Sequence, residues 1–542
     1  MKPTIRLYVL VLCFLAWVVS PVDALGQSTQ TFYVKAKLSP DNESPAITGV
    51  TSSGTARARV TVDRDVGGTI TSGVVTFDVA YQFGRPVTLT GFHIHSAPVG
   101  ENGDVVINSG LASTPEPDGV GSLTFTTPTL TTATQITALN GLATTPHLYY
   151  INVHTSDHGG GEIRGQCTTE THFYRADMLP SNEVPPIPEL NASASALITL
   201  DVTRDTSGAI TSGAVMFDTN YNFPVGTTFN GLHIHRELAG ENGDIVIPAG
   251  ISSVESSTGK GSITKLISLP TTPEMLGILN AVLTNPQGHY VNLHTSANPG
   301  GAVRGQLEDA NQFSSIPFAL DDGTFRSNLG IQNLTNVPGT VAVSVAQESG
   351  ATSSMTVALP ARGFTQLLNV NSLFGNPGPI GSIRLAPDQH IDAFVSTIDH
   401  ATNTPTIIPT MSKGTNLAIA AVSNLGGRYI SSLMVSNEGS SEALVDIVSR
   451  DAQGGVQGQM SNVAIPAGGF IYRPDILAAL GVPSGYGPLE IRSTNGQPLS
   501  ALSLVVNSET KRGAVMAGKG FGHGSLGSSS GSFDSCSGCW DY

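Results

Sequence analysis

Residues 92–104 read FHIHSAPVGENGD, and residues 232–244 read LHIHRELAGENGD. The shift is 140 residues, and it holds far outside this stretch. Asn42-Glu43 returns as Asn182-Glu183, Thr71-Ser72-Gly73 as Thr211-Ser212-Gly213, and Phe77-Asp78 as Phe217-Asp218. His154-Thr155 returns as His294-Thr295, and Arg164-Gly165-Gln166 as Arg304-Gly305-Gln306. An unchanging offset means two copies of one module with hardly an insertion between them, over residues 30–169 and 170–309.

Within a copy the apolar pattern has a period of two. Ala56, Ala58, Val60 and Val62 alternate with Arg57, Arg59, Thr61 and Asp63, which is the pattern of a half-buried strand. Asn102-Gly103 and Asn242-Gly243 supply the dipeptide of a tight turn. Thr272-Pro273-Glu274 reads as a cap followed by a first-turn proline, so a short helix is expected there with Leu276, Leu279 and Leu283 on one face.

A weaker repeat follows. Phe325–Asn333 (FRSNLGIQN) resembles Tyr429–Asn437 (YISSLMVSN), Leu359-Pro360-Ala361 resembles Ile465-Pro466-Ala467, and Ala393-Phe394 resembles Ala501-Leu502. The offset drifts by loop-sized steps, as two diverged β-sandwiches would. The expected units are 318–412 and 427–518, with linkers at 308–317 and 413–426 and a Gly/Ser-rich flexible tail at 519–542. The fold class is therefore all-β: tandem sandwiches of Greek-key or immunoglobulin-like type, two in each repeat family.

Composition agrees with that organisation. At 542 residues the chain has room for about three to five domains. Charged residues are only 12%, and 61 Gly with 33 Pro favour short strands joined by turns over long charged helices. A formal net charge of -15 without a Lys/Arg cluster disfavours nucleic acid and anionic lipid as partners. Residues 1–26 place Lys2 and Arg6 before an apolar run, then Pro21 and small residues, which is the pattern of a secretory signal. No stretch reaches the ~18 apolar residues of a membrane helix. The expected location is secreted and extracellular, or periplasmic in a Gram-negative source. Cys13 falls in the signal segment, leaving Cys167, Cys536 and Cys539. In an oxidising compartment Cys536 and Cys539 read as a local disulfide, with Cys167 as a free or intermolecular thiol.

The most specific constellation is His-x-His with a third histidine, present twice. Residues two apart on a strand share a face, so His93 and His95 point one way and Phe92 and Ile94 the other. Tyr150, Asn152 and His154 share a face in the later segment, as do Tyr290, Asn292 and His294. If the two strands are neighbours, His93, His95 and His154 converge, as do His233, His235 and His294, and three imidazoles suit zinc or copper. The other reading is structural: the histidines hydrogen-bond loop carbonyls in a polar network with the Asn and Tyr.

Both copies resemble the chordin-type CHRD domain. The features are Asn-Glu near Pro, the Gly-Phe-His-Ile-His and Gly-Leu-His-Ile-His segments, the Gly-Glu-Asn-Gly-Asp turn, and the closing Tyr-Ile-Asn-Val-His-Thr and Tyr-Val-Asn-Leu-His-Thr strands with Arg-Gly-Gln after them. The resemblance implies an extracellular all-β module that serves as a building block of secreted proteins. The second copy departs at Ala302, where the first has Glu162. More distantly, the copies resemble the copper strands of Cu/Zn superoxide dismutases. That likeness implies copper on the two histidine trios and an anion-attracting role for Arg164 and Arg304. The bridging histidine and zinc cluster of those enzymes have no match, since only His147 and His289 lie between the segments.

Other signals are weaker. Glu101, Asp104, Glu241 and Asp244 are carboxylates at a turn and could hold calcium or simply be solvated. Asn42, Asn191 and Asn333 stand in glycosylation sequons. Gly527–Gly531 and Gly522–Gly527 match catalytic and nucleotide-binding patterns, but they sit in the tail without flanking elements. The expected function is therefore non-catalytic and without a cofactor: a secreted modular protein that binds or displays an extracellular protein or matrix ligand. The alternative is a copper- or zinc-binding protein using the trios.

Overall fold

The alternating run at 56–62 forms the second strand of a four-stranded sheet in a computed structural model that describes residues 28–520 except 206, 311–314, 376–377, 412 and 510–512. The expected signal segment and the Cys536/Cys539 pair lie outside the described residues. The first unit contains β1 (Ser28–Leu38), β2 (Ser53–Arg64), β3 (Ile70–Gln82), β4 (Val87–Ser96), β5 (Asp104–Asn108), β6 (Thr114–Glu116), β7 (Val120–Thr126), α1 (Ala133–Thr144), β8 (Tyr149–Thr155) and β9 (Ile163–Gln166). One sheet runs β1-β2-β3-β7 and the other β5-β4-β8-β9, with β6 also on β4. Val34, Ala58, Val60, Phe77, Phe92, Ile94, Ile151 and Val153 fill the space between them.

The second unit repeats this arrangement. It contains β10 (Glu170–Met178), β11 (Ser193–Arg204), β12 (Ile210–Asn222), β13 (Thr227–Arg236), β14 (Ile245–Pro248), β15 (Val254–Ser256), β16 (Lys260–Ser268), α2 (Pro273–Thr284), β17 (His289–Thr295), β18 (Val303–Gln306) and β19 (Glu308–Asp309). Its sheets run β16-β12-β11-β10-β19 and β14-β13-β17-β18, with β15 on β13.

The helix expected after Thr272 is α2. The Thr272 hydroxyl caps the Met275 amide, Leu279 is buried, and Leu276 and Leu283 pack against the core. A matching helix in the first unit, α1, was not expected. Its start is held by a reciprocal capping box between Thr132 and Gln135, a signal its Thr-rich sequence obscures.

The remaining units are also all-β: the third is a two-sheet sandwich, and the strands of the fourth form one nine-stranded sheet with its own core. In the third, β20 (Ser315–Leu320), β21 (Phe325–Asn333), β22 (Gly339–Ala346), β23 (Thr352–Leu359), β24 (Phe364–Leu367), α3 (Val370–Leu373), β25 (Ile380–Pro387), β26 (Ile391–Asp399) and β27 (Pro405–Pro409) form sheets β20-β25-β22-β23 and β24-β21-β26-β27. The fourth begins at Asn416, inside the segment read as a 413–426 linker. Leu417, Ile419 and Val422 of Asn416–Asn424 are buried and the strand pairs with Gly485–Ser493, so its apolar residues outweigh the flanking glycines. Part of the other expected linker, 308–317, is strand as well, in β19 and β20.

The third unit docks on the first two. Lys37 Nζ donates to the Asp388 carbonyl, and Arg57 donates to the Ala386 carbonyl at 3.1 Å. Asn336 bonds the buried Asp218 carboxylate through its backbone and side chain. This is why Arg57, polar in the alternating pattern, is only 4% exposed. No helix among the described residues is long and apolar enough to cross a membrane.

Candidate metal centre

Register brings each histidine trio together. β4 and β8 are antiparallel neighbours, with Gly91 opposite His154, His93 opposite Asn152, and His95 opposite Tyr150. Cross-strand partners share a face, so these side chains lie outside while Phe92, Ile94, Ile151 and Val153 face the core. β13 and β17 repeat the register with Gly231, His233, His235, Tyr290, Asn292 and His294. In each trio one ring nitrogen from every histidine lies within 4.8 Å of the others. Ring centroids are 5.7, 4.8 and 5.7 Å apart in the first unit and 5.6, 4.9 and 5.7 Å apart in the second.

Glycine makes room for the first histidine. A Cβ at Gly91 would lie 2.7 Å from His93 Cε1, and one at Gly231 would lie 2.6 Å from His233 Cε1. The Gly in Gly-x-His-x-His is thus a steric requirement of the site.

Hydrogen bonding fixes which nitrogen is open. His95 Nδ1 is 2.9 Å from the Gly103 carbonyl and His154 Nδ1 is 3.0 Å from the Gly159 carbonyl. A carbonyl only accepts, so each Nδ1 carries the proton and each Nε2 presents a lone pair. Both Nε2 atoms are buried without a partner, and so is His93 Nδ1. In the second unit Gly243 and Pro299 supply the carbonyls at 3.0 Å, and His235 Nε2, His294 Nε2 and His233 Nδ1 are the orphans. Two ligands oriented from behind by carbonyls, with their other nitrogens unsatisfied and convergent, match the usual outer shell of a metal-binding histidine. The loop-carbonyl bonds of the structural reading are therefore present, but they account for one nitrogen on two rings of each trio and for none on His93 or His233.

Burial first, and then the neighbouring histidines, pushes His93 and His233 down to about 4. Burial also lowers His95, His154, His235 and His294. The rings are held neutral, the form that ligates. Three imidazoles fit copper or zinc and leave a position for a ligand from solution. Among the described residues these two trios are the groups of His, Cys, Asp or Glu with metal-site geometry. Glu101, Asp104, Glu241 and Asp244 are exposed at their turns and take no part. His147 and His289 also stand apart; His289 Nδ1 binds the Asn285 carbonyl.

Behind the trio stands a stack that the sequence did not reveal. The Tyr150 ring lies parallel to His95 at 4.7 Å and 6°, and the Arg164 guanidinium sits 3.5 Å from the Tyr150 ring centre. Tyr290 stacks on His235 at 4.9 Å and 9°, with Arg304 again at 3.5 Å. Arg164 donates to the carbonyls of Pro98 and Glu101 and to Asn102 Oδ1, tying down the turn that offers Gly103 to His95. Arg164 and Arg304 are each 1% exposed. The anion-attracting role implied for them by the superoxide dismutase likeness does not fit this placement, because their donors are spent on the protein and water cannot reach them.

Glu43 and Glu183 also border the site. Each reaches Asn152 or Asn292 at 3.4 Å and leaves its Oε1 buried without a partner. Burial pushes both carboxyls up to about 7.

The remaining expectations resolve by burial. Cys167 is a free thiol within the first core, where burial pushes it up and keeps it from an intermolecular partner. Of the sequon residues Asn191 is exposed, whereas Asn333 is fully buried and donates to the Val337 and Pro360 carbonyls. Asn42 is half-buried, with Nδ2 on the Arg164 carbonyl and Oδ1 accepting the Ser268 amide.

A family model described as the CHRD domain matches residues 34–167 and 174–307, the two units delimited by the 140-residue repeat. Comparison with curated proteins gives no match. CHRD domains are modular and of extracellular type.

Proposed function

The chain is a tandem CHRD-domain protein, and on that premise we propose that it is an exported two-site metal-binding protein in which each CHRD domain holds one copper or zinc ion. His93 Nδ1, His95 Nε2 and His154 Nε2 are the ligands in the first domain, and His233 Nδ1, His235 Nε2 and His294 Nε2 in the second. The observation that carries this reading is that, in both copies, one ring nitrogen of each histidine lies within 4.8 Å of the others and every ring has a buried, unpartnered nitrogen. Leaving such atoms empty would cost about 1–3 kcal/mol each, so their repetition argues for an occupant. When bound, the ion supplies Lewis acidity and an open coordination position. The chain's own residues orient two ligands, hold all three neutral and shield the sheet face. No catalytic step is assigned to them.

The test is elemental analysis after metal loading and desalting. The full chain is expected to hold about two ions, His93→Ala/His95→Ala and His233→Ala/His235→Ala about one each, and the fourfold variant none. A folded chain that holds no metal overturns the reading.

A second reading, non-catalytic display of an extracellular protein or matrix ligand, is favoured by the modular family and by a third β unit docked on the CHRD pair. If metal-free protein keeps full partner binding, display is the function and the ions are structural.

A further inference from the structure

Resting on the two-site reading, we infer that the His-Tyr-Arg stacks select the charge of the ion, so that both centres hold copper as Cu(I) in preference to Zn(II) or Cu(II). The ligand set is three neutral imidazoles; no carboxylate or thiolate belongs to either group. Directly behind one ligand of each set lies a permanent cation, Arg164 against Tyr150 and His95, Arg304 against Tyr290 and His235.

The guanidinium is not neutralised by its hydrogen-bond partners. Arg164 donates to two backbone carbonyls and the Asn102 amide oxygen; Arg304 donates to the carbonyls of Leu238 and Glu241 and to Asn242 Oδ1. The nearest carboxyls are Glu43 and Glu183, which burial holds partly protonated at neutral pH. Asp104 and Asp244, at the neighbouring turns, are exposed and screened by solvent. A fixed positive charge in a low-dielectric setting repels a dication twice as strongly as a monocation. Three nitrogen donors without a protein-supplied fourth also match the low coordination number that Cu(I) accepts, while zinc favours four ligands. Arg164 and Arg304 thus act as positioning residues for the turn and as specificity determinants for the ion.

The decisive variant is Asn102→Asp/Asn242→Asp. It places a carboxylate where Arg164 Nη1 and Arg304 Nη1 already donate, at 3.0 and 3.2 Å, cancelling the charge and keeping the bond to each arginine, while the amide bonds to the Ser44 and Val184 carbonyls are lost. The full chain is titrated with Cu(I) under ascorbate and argon against bicinchoninate, and separately with Zn(II) against a chromophoric chelator. In the variant the Cu(I)-to-Zn(II) affinity ratio is expected to fall about tenfold or more. In Arg164→Lys/Arg304→Lys, which keeps the charge but loosens the turn, the ratio is expected to hold within about threefold. An unchanged ratio in the aspartate variant, or an equal loss of both affinities in every variant, overturns the inference and leaves the arginines as struts only. A wild-type chain that takes neither ion overturns the two-site reading itself, a separate outcome.

Discussion

The two CHRD domains share a histidine shell to within about 0.2 Å in ring spacing, yet they support it by opposite means. In the first, Glu162 is fully buried beside the loop that carries Gly159. It accepts from Arg85 at 2.8 and 2.9 Å, from Thr155 at 2.6 Å and from Ser52. In the second, the same three places, 140 residues on, are Ala302, Val225 and Ala192. The part-exposed Arg85, the buried Glu162 and Ser52 have been exchanged for Val and two Ala, while Thr295 keeps the place of Thr155, and the histidine spacing beside them is unchanged. The lesson is that such a pair is one solution to filling that corner and not a requirement of the site. That agrees with the near-neutral exchange of buried ion pairs for apolar groups elsewhere.

The largest effect should come from breaking a set. Ala302→Glu buries a carboxylate with neither Arg nor Ser to meet it, and is expected to destabilise the second domain by about 3–5 kcal/mol. Glu162→Ala leaves the Ser52 and Thr155 hydroxyls without their acceptor and Arg85 with only Asp157, and should cost the first domain about 1–3 kcal/mol. The complete exchange Ser52→Ala/Arg85→Val/Glu162→Ala should cost less than Glu162→Ala alone. Hydrogen exchange followed by mass spectrometry reads each domain's stability within the full chain. If the triple variant is the least stable, the two corners are not interchangeable solutions.

A smaller effect sharpens the comparison through pH. Histidines whose values are lowered in the folded state bind fewer protons there than in the unfolded chain. Metal-free stability should therefore fall as pH drops from about 6.5 towards 4, by about 1–3 kcal/mol in each domain alike. Glu43 and Glu183 work the other way: raised in the folded state, they stabilise most below about 4.5 and lose that contribution as pH rises towards 7. Glu162 breaks the symmetry. Burial pushes it up, but the bonds from Arg85, Ser52 and Thr155 outweigh burial and hold it low, so its stabilisation is lost as pH falls below about 4.5, in the first domain only. Exchange profiles at pH 7, 5 and 4 should thus coincide between domains until the last step, and a divergence already at pH 5 would locate the difference in the trios instead.

Much of this was legible beforehand, and the failures are physical. The 140-residue repeat delimited both domains, and alternation placed each trio on an outer face. The pairing of β4 with β8 could not be read, because strand adjacency is decided by register in three dimensions. Arg164 and Arg304 carried only the anion-attracting role implied by the superoxide dismutase likeness, and nothing local in the sequence shows that a tyrosine ring and three oxygens await each guanidinium. The Asn-Glu signature was visible but its chemistry was not; burial in the folded domain raises the Glu43 carboxyl, against the opposing effects of Arg164 and the Asn152 bond. The strand at Asn416–Asn424 falls in the expected 413–426 linker; a register shift between Ile419 and Val422 breaks its alternation, and it shows only in the pairing with Gly485–Ser493.

The smallest predicted difference lies in the helices that cover the two sandwiches. In α1 the Thr132 hydroxyl receives the Gln135 amide while the Gln135 side chain accepts from the Thr132 amide, at 3.3 and 3.1 Å. In α2 the corresponding residue to Gln135 is Met275, so only the Thr272 half of the cap exists, and Pro273 sets the first turn instead. Gln135→Met should therefore cost the first domain roughly 0.5–1 kcal/mol, while Met275→Gln should return a few tenths to the second. Both changes leave the trio residues and their carbonyl partners untouched, so metal affinity should not move with them. Should Gln135→Met weaken binding at the first trio as well, the helix and the histidine face are coupled through the core, and the domain's two halves do not act independently.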